Sequence, residues 1–145
     1  MRRRSKILLI EDHEAVRMLL TNFLKKDFEV NSVKDGFDAL AWMSKGNIPD
    51  LILLDLQMEG MDGTTFLSNI KSSGFFRNIP IILVTGATDW ERVLEPWLDK
   101  IKIDRVAEHY IKKPFDPEEV KTKIISILSK LEETTQLQAL SLIHI

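Results

Sequence analysis

Five residues of this sequence carry groups that could do chemistry, and all lie at or near the end of a short apolar run. Glu11 and Asp12 follow the first such run, Asp55 follows a second and Thr85 follows a third. Lys113 comes shortly after a fourth, weaker stretch. The fold must therefore explain the positions of three carboxylates, one hydroxyl and one ammonium.

These groups together indicate phosphoryl chemistry assisted by a metal ion. Carboxylates crowded at one site repel one another unless a cation joins them. Mg²⁺ suits such a site because it prefers oxygen ligands, keeps several waters and accepts phosphate oxygens, and Mn²⁺ is an alternative ion. One carboxylate could then attack a phosphorus atom as a nucleophile, while Lys113 and Thr85 stabilise the oxygens of the transferring phosphoryl group.

The elements that must position these residues alternate between short strands and helices. Three mostly apolar runs are typical of parallel strands buried on both faces: Lys6 to Ile10, Leu51 to Leu54 and Ile81 to Val84. Glu29 to Val33 has only two apolar positions and predicts an edge strand, and His109 to Ile111 predicts a short fifth strand. Segments with helical spacing of apolar residues lie between them. This order predicts an α/β fold in which a parallel sheet is covered by helices on both faces, giving three layers.

The last helix has the clearest start signal in the chain. We expect Asp116 at its N-cap and Pro117 at its first helical position. No internal repeat, low-complexity segment or Gly/Ser linker divides the sequence. We therefore expect one domain over residues 1–130, followed by a C-terminal helical extension or tail over residues 131–145.

Composition and charge exclude several classes of protein. The 145 residues carry 20 Lys+Arg against 22 Asp+Glu, a formal net charge of −2, and 44% of them are apolar, as expected of a globular domain. The balance of charge argues against a nucleic-acid partner, which would require a basic face. No apolar run approaches the roughly 20 residues that span a membrane. The sequence has no Cys, and Glu11 cuts the first apolar run too early for a signal peptide, so we expect a cytoplasmic protein.

The residues at the strand ends resemble the receiver domain of bacterial two-component response regulators. The likeness covers about residues 6–128, and four motifs carry it: Ile10-Glu11-Asp12, Asp55-Leu56-Gln57-Met58 with Met61-Asp62-Gly63, Thr85-Gly86, and Tyr110-Ile111-Lys112-Lys113-Pro114-Phe115. The resemblance implies a flavodoxin-like (βα)5 fold with strand order 2-1-3-4-5. It also implies a single-domain regulator, since roughly 14 residues after the last core helix are too few for a helix-turn-helix module.

The resemblance assigns chemical roles to the strand-end residues. Asp55 would accept a phosphoryl group from a phosphohistidine on a sensor histidine kinase or a histidine phosphotransfer protein. Asp12 and Asp55 would bind Mg²⁺ directly, Glu11 directly or through water, and Gln57 through its backbone carbonyl. Lys113 would pair with Asp55 before transfer and with the phosphoryl oxygens afterwards.

The resemblance also implies how the domain would signal. Thr85 would bind the phosphoryl group and shift toward it, so that the ring of Tyr110 turns inward and remodels the face formed by the fourth helix, fifth strand and fifth helix of the family fold. The output would be contact with an unknown downstream protein, and a homodimer would use that face or the C-terminal tail. The domain would catalyse only its own phosphotransfer and autodephosphorylation. The peptide bond between Lys113 and Pro114 would be cis.

Alternatives remain open from the residues alone. A metal-dependent phosphoesterase would use Glu11, Asp12 and Asp55 only as metal ligands, and a docking module would signal without phosphorylation. A lone acidic residue after a strand is also a common helix cap. His13 beside the acid pair is a candidate ligand, but an exposed histidine in the first turn of a helix is the simpler interpretation.

Two features depart from the family pattern. Glu59 stands where the family usually has Pro, which adds a charge near the expected metal site. Thr85 and Lys113 are 28 positions apart, more than the family usually shows. Pro96 falls within the helix predicted around Trp90 and should kink or restart it. We therefore expect the signalling face to differ from that of the family.

Overall fold

The computed structural model describes residues 3–56, 63–86 and 109–143, apart from the side chains of Thr64 and Thr85. The strands of this part of the chain are β1 (Lys6–Ile10), β2 (Glu29–Val33), β3 (Leu51–Leu54), β4 (Ile81–Thr85) and β5 (Tyr110–Lys112). Its helices are α1 (Glu14–Leu24), α2 (Gly36–Ser44), α3 (Gly63–Ser72) and the C-terminal helix α4 (Pro117–Ile143).

The five strands form one parallel sheet in the order β2-β1-β3-β4-β5. This confirms the predicted fold class and strand order. Strand β2 lies at the edge of the sheet, as its two apolar positions predicted, and β3 lies at the centre. Because the strands are parallel, their carboxyl ends meet at one edge, where ligands bind in open α/β sheets.

Alternate residues of each strand face opposite sides of the sheet and contribute to two separate cores. The core on one side joins strand residues such as Leu8 and Ile52 to Phe66 of α3 and to residues of α2. The core on the other side joins Leu9 to Ile124 of the C-terminal helix and to residues of α1. Two helices therefore cover each face of the sheet, and this arrangement confirms the three predicted layers.

The C-terminal helix begins where the sequence predicted. Pro117 is its first residue, and Oδ1 of Asp116 accepts a hydrogen bond of 3.0 Å from the backbone N–H of Glu118. All residues of this helix from Leu131 to its end are exposed. Among the described residues, the structure contains no helix that is both long and apolar enough to cross a membrane.

Helix α3 starts with a close approach to the end of β3. The backbone N–H of Gly63 donates a hydrogen bond of 3.3 Å to the carbonyl of Leu56. A Cβ atom at Gly63 would lie only 2.5 Å from the backbone of Asp55 and Leu56. Because these neighbours are backbone atoms, no side-chain rotation can relieve the contact. A glycine is therefore required where α3 packs against the peptide of Asp55.

This close approach predicts the effect of adding one methyl group. We expect Gly63→Ala to lower the free energy of unfolding by about 1–3 kcal/mol, the usual range for overpacking. Gly74→Ala is the matched control, because no atom of the described residues lies within 4 Å of a Cβ atom built there. Its effect should stay within about 0.5 kcal/mol. Urea unfolding measures both changes, and equal stability of the two variants would contradict the close approach.

Candidate functional site

The carboxyl ends of β1, β3 and β5 bring four of the predicted site residues together. Glu11 and Asp55 are almost completely buried, with exposed fractions of 1% and 2%. One ligand atom from each of Glu11, Asp12, His13 and Asp55 lies within 4.8 Å of the others. Lys113 reaches this group from the residue after β5. Residues far apart in the sequence thus form one acidic site.

The hydrogen bonds of the sheet extend one residue past the strands and fix the two buried acids. The backbone N–H of Glu11 donates to the carbonyl of Val33, at 3.1 Å, and the N–H of Asp55 donates to the carbonyl of Ile10, at 3.2 Å. Both carboxylates therefore start from a backbone that the central strands hold in place. These backbone hydrogen bonds therefore help to hold the two like-charged side chains near each other.

The ammonium of Lys113 bridges the two buried carboxylates. Its Nζ donates to the two oxygens of Glu11, at 2.8 and 3.1 Å, and to Oδ2 of Asp55, at 3.2 Å. Burial opposes the charge on this amine, but the hydrogen bond to Glu11 and the negative charges of Asp55 and Glu11 outweigh it and raise the pKa of Lys113. The peptide bond between Lys113 and Pro114 is cis. At neutral pH Lys113 is therefore charged and pairs with the two buried carboxylates.

One oxygen of Asp12 indicates that a cation fits the site. Within the described residues, Oδ1 of Asp12 is buried and takes part in no hydrogen bond. A buried polar atom without a partner costs about 1–3 kcal/mol. A divalent ion among Asp12, Glu11 and Asp55 would remove that cost and reduce the repulsion between the carboxylates. Oxygen ligands of this kind suit Mg²⁺.

His13 contacts the acid pair, as its alternative interpretation as a candidate ligand requires. It occupies the N-cap position of α1, but its side chain makes no capping hydrogen bond. Its backbone N–H instead donates to Oε1 of Glu11, at 3.2 Å, and its ring Nδ1 lies 2.9 Å from the same oxygen. The side chain is 67% exposed, so its expected exposure is correct. Its place directly after the acid pair, at a position that usually holds Ser, Thr, Asp or Asn, could have indicated this contact.

Arg17 is a residue at the site that sequence reasoning missed. Its guanidinium Nη1 donates a hydrogen bond of 2.8 Å to the backbone carbonyl of Glu11. Its backbone N–H donates to the carbonyl of His13, at 2.9 Å, in the first turn of α1. Arg17 therefore ties the helix to the end of β1. The only signal in the sequence is its position one helical turn after His13.

The remaining predicted residues are described only in part. Thr85 ends β4 in register with Lys112 of β5, but its side chain lies outside the described residues. The backbone of Gln57 and the helix predicted around Trp90 also lie outside them. Tyr110 is half-buried in β5 beside the core under α2 and α3, and this burial raises the pKa of its hydroxyl. The roles of Thr85, Gln57 and Tyr110 stay predictions.

Comparisons with known proteins agree with this geometry. The family model described as the response regulator receiver domain matches residues 7–125. The response regulator PleD of Caulobacter vibrioides is 36% identical over 114 residues, which are 77% of this chain and 23% of that protein. The phosphate regulon transcriptional regulatory protein PhoB of Escherichia coli is 28% identical over 144 residues, which are 94% of this chain and 59% of that protein.

A solved structure supports the same assignment. It is the signal receiver domain of a signal transduction histidine kinase from Syntrophus aciditrophicus, with a TM-score of 0.73 and 27% identity. The match covers 87% of this chain and 91% of that chain. The chain thus resembles a receiver domain over nearly its whole length, whereas it spans less than two thirds of the curated proteins PleD and PhoB.

The ion pairs of Lys113 predict how stability responds to alkaline pH. Because its folded-state pKa is raised, their stabilisation is present below the unfolded-state pKa, about 10.4, and is lost as pH rises through the folded-state value. We expect Lys113→Met to lower the free energy of unfolding by about 1–3 kcal/mol at mildly alkaline pH. The curves of variant and parent protein should converge as pH rises through the raised folded-state pKa of Lys113. Urea unfolding in metal-free buffer across this range measures the difference.

The neighbouring lysine provides the control for this experiment. Lys112 is exposed, so Lys112→Met should follow the parent protein at every pH. A stability difference between the parent and Lys113→Met that stays constant up to the highest pH would show that the charge on Lys113 is not what stabilises the site.

Proposed function

The chain belongs to the response regulator receiver domain family, and we propose that it acts as a phosphoaspartate switch with Asp55 as the acceptor. The observation that carries this proposal is the buried carboxylate of Asp55, 3.2 Å from the ammonium of Lys113 and next to an acidic cluster. Receiver domains take phosphoryl groups from histidine kinases. The proposed donor is therefore a phosphohistidine of a sensor histidine kinase or of a histidine phosphotransfer protein in the cytoplasm.

The transfer step forms an acyl phosphate on Asp55. A carboxylate oxygen of Asp55 attacks the phosphorus atom, a P–O bond forms, and the P–N bond to the donor histidine breaks with its electron pair going to the imidazole. The ammonium of Lys113 already lies beside Asp55, so it can balance the charge of the transferred phosphoryl oxygens. The domain would catalyse this transfer and its own dephosphorylation.

Glu11, Asp12, Asp55 and the backbone carbonyl of Gln57 are the proposed ligands of Mg²⁺, with Mn²⁺ as an alternative. When bound, the ion neutralises negative charge and orients the phosphoryl oxygens. The buried Oδ1 of Asp12 supports this assignment, since in the described part of the chain it accepts no hydrogen bond. Lys113 compensates only part of the negative charge, and this also favours a cation.

Thr85 and Tyr110 are the proposed switch residues. Thr85 pairs in register with Lys112, and Tyr110 pairs with Leu83, so the two residues lie two positions apart along the β4–β5 ladder. A shift of Thr85 toward the phosphoryl group would change the space beside the half-buried ring of Tyr110. The proposed output is contact of a downstream protein with the face that includes β5 and the C-terminal helix. A homodimer through that face or through the exposed residues from Leu131 onward is the proposed assembly.

Replacement of the acceptor should abolish phosphorylation. We expect the parent protein, incubated with Mg²⁺ and a small acyl phosphate, to gain one phosphoryl group that hydroxylamine removes. Asp55→Asn should gain none, because an amide cannot form an acyl phosphate. Asp116→Asn should be labelled like the parent, since Asn also serves as an N-cap residue. Intact mass spectrometry measures all three proteins.

The alternatives give different results in the same experiment. Turnover of a phosphate ester without a labelled protein would indicate a metal-dependent phosphoesterase. Neither labelling nor turnover would indicate a docking module. Labelling of Asp55→Asn at the parent rate would show that the acceptor is another residue.

Removal of one metal ligand should separate metal binding from stability. We expect saturating Mg²⁺ to raise the Tm of the parent protein by about 5–10 °C, because the ion binds only the folded state. Asp12→Asn should lose this increase but should melt above the parent protein in metal-free buffer, because one of the crowded charges is gone. Glu29→Gln removes a carboxylate near the amino ends of the strands, away from the site, and should keep the increase in Tm. An unchanged response to Mg²⁺ in Asp12→Asn would exclude this residue as a ligand.

A further inference from the structure

The side chain of His13 contacts the acidic site and does not cap the helix that follows it. It holds the N-cap position of α1, where a side chain usually accepts a hydrogen bond from the first turn, but it caps nothing. Its ring turns toward the acid pair, with Nδ1 2.9 Å from Oε1 of Glu11 and 3.1 Å from Oδ1 of Asp12. The same ring is 67% exposed. His13 therefore stands between the solvent and the buried carboxylates.

Hydrogen bonding alone does not account for this position. Oε1 of Glu11 already accepts hydrogen bonds from Lys113 Nζ, at 3.1 Å, and from the backbone N–H of His13, at 3.2 Å. A single proton on Nδ1 cannot satisfy two carboxylates at once. Oδ1 of Asp12 indeed has no hydrogen-bond partner among the described residues, although it is buried. The ring thus lies close to Oδ1 of Asp12, which lacks a hydrogen bond from the described residues, but does not donate one to it.

The spacing of these atoms matches that of ligands around one ion. Ligands on neighbouring corners of an octahedron with bonds of about 2.1 Å lie about 3.0 Å apart. The two distances from Nδ1, 2.9 and 3.1 Å, have this length. A carboxylate oxygen of Asp55 belongs to the same group of atoms, all within 4.8 Å of one another. The four side chains are therefore close enough together to surround one ion after small side-chain adjustments.

We propose that Nδ1 of His13 is a direct ligand in this site and shifts its preference from Mg²⁺ toward first-row transition ions such as Mn²⁺. This inference rests on the proposed function, because it adds a nitrogen ligand to the same carboxylates. Imidazole suits transition ions, whereas Mg²⁺ prefers oxygen ligands and water. The exposure of the ring gives an arriving ion access to the site.

The test uses Mn²⁺ itself as the probe. In the full chain loaded with Mn²⁺, pulsed electron paramagnetic resonance should detect hyperfine coupling to one ¹⁴N nucleus, and His13→Ala should abolish it. Calorimetric titration should show that His13→Ala lowers Mn²⁺ affinity by at least about tenfold and leaves Mg²⁺ affinity unchanged. His109→Gln is the matched control, because it removes a histidine just before the amino end of β5, away from the site. This variant should keep both the ¹⁴N coupling and the Mn²⁺ affinity.

The outcomes separate this inference from the proposed function. Absence of ¹⁴N coupling in the parent protein would overturn the role of His13 as a ligand, and an equal loss of Mn²⁺ and Mg²⁺ affinity in His13→Ala would overturn the proposed shift in metal preference. Labelling of Asp55 by an acyl phosphate with Mg²⁺ is measured in parallel. Labelling without ¹⁴N coupling would refute only the ligand assignment, whereas coupling without labelling would support it and refute the phosphoaspartate switch.

Discussion

Two buried carboxylates that share one ammonium are the interaction on which the rest of the structure depends. Glu11 and Asp55 are nearly inaccessible to water, and burial of an unpaired charge is costly enough that it would otherwise be avoided. Lys113 supplies the pairing charge from 102 positions after Glu11. The ion pair forms only when β1, β3 and β5 lie in one sheet with their carboxyl ends together. The ion pair of the site therefore depends on the strand order of the sheet.

The ion pair compensates only part of the negative charge of the site, and the remaining negative charge favours the binding of a cation. One ammonium faces three carboxylates, and Oδ1 of Asp12 is buried with no hydrogen bond from the described residues. Folded proteins usually avoid both features, and they accept them at functional sites where a ligand removes the cost. Stability and ligand binding are consequently linked here. An ion that binds the carboxylates, or a phosphoryl group that brings further negative charge, must change the free energy of the folded state.

Features that depend on the pattern of apolar residues, such as the strands, were predicted from the sequence, whereas contacts that depend on the direction of single side chains were not. Strand β3 was predicted residue by residue, because a buried parallel strand is apolar throughout, whereas the short strand β5 begins one residue later than predicted, at Tyr110. Convergence of the strand ends predicted the acidic site. The sequence left the contact of His13 as one of two interpretations, because the direction of its ring depends on the positions of two carboxylates and not on helical spacing. The need for glycine at Gly63 became visible only where α3 meets the backbone of β3.

Glu11 connects the two halves of the site, because its Oε1 atom is shared. Lys113 and His13 both contact this oxygen, and Lys113 also contacts Asp55. An ion bound to Oε1 would compete with Lys113 for this oxygen and would weaken the hydrogen bond between Glu11 and the ammonium. Lys113 would then interact more strongly with Asp55 and with the oxygens of a phosphoryl group that the proposed transfer places there. The proposed metal binding and the proposed phosphoryl transfer would in this way be coupled through one buried glutamate.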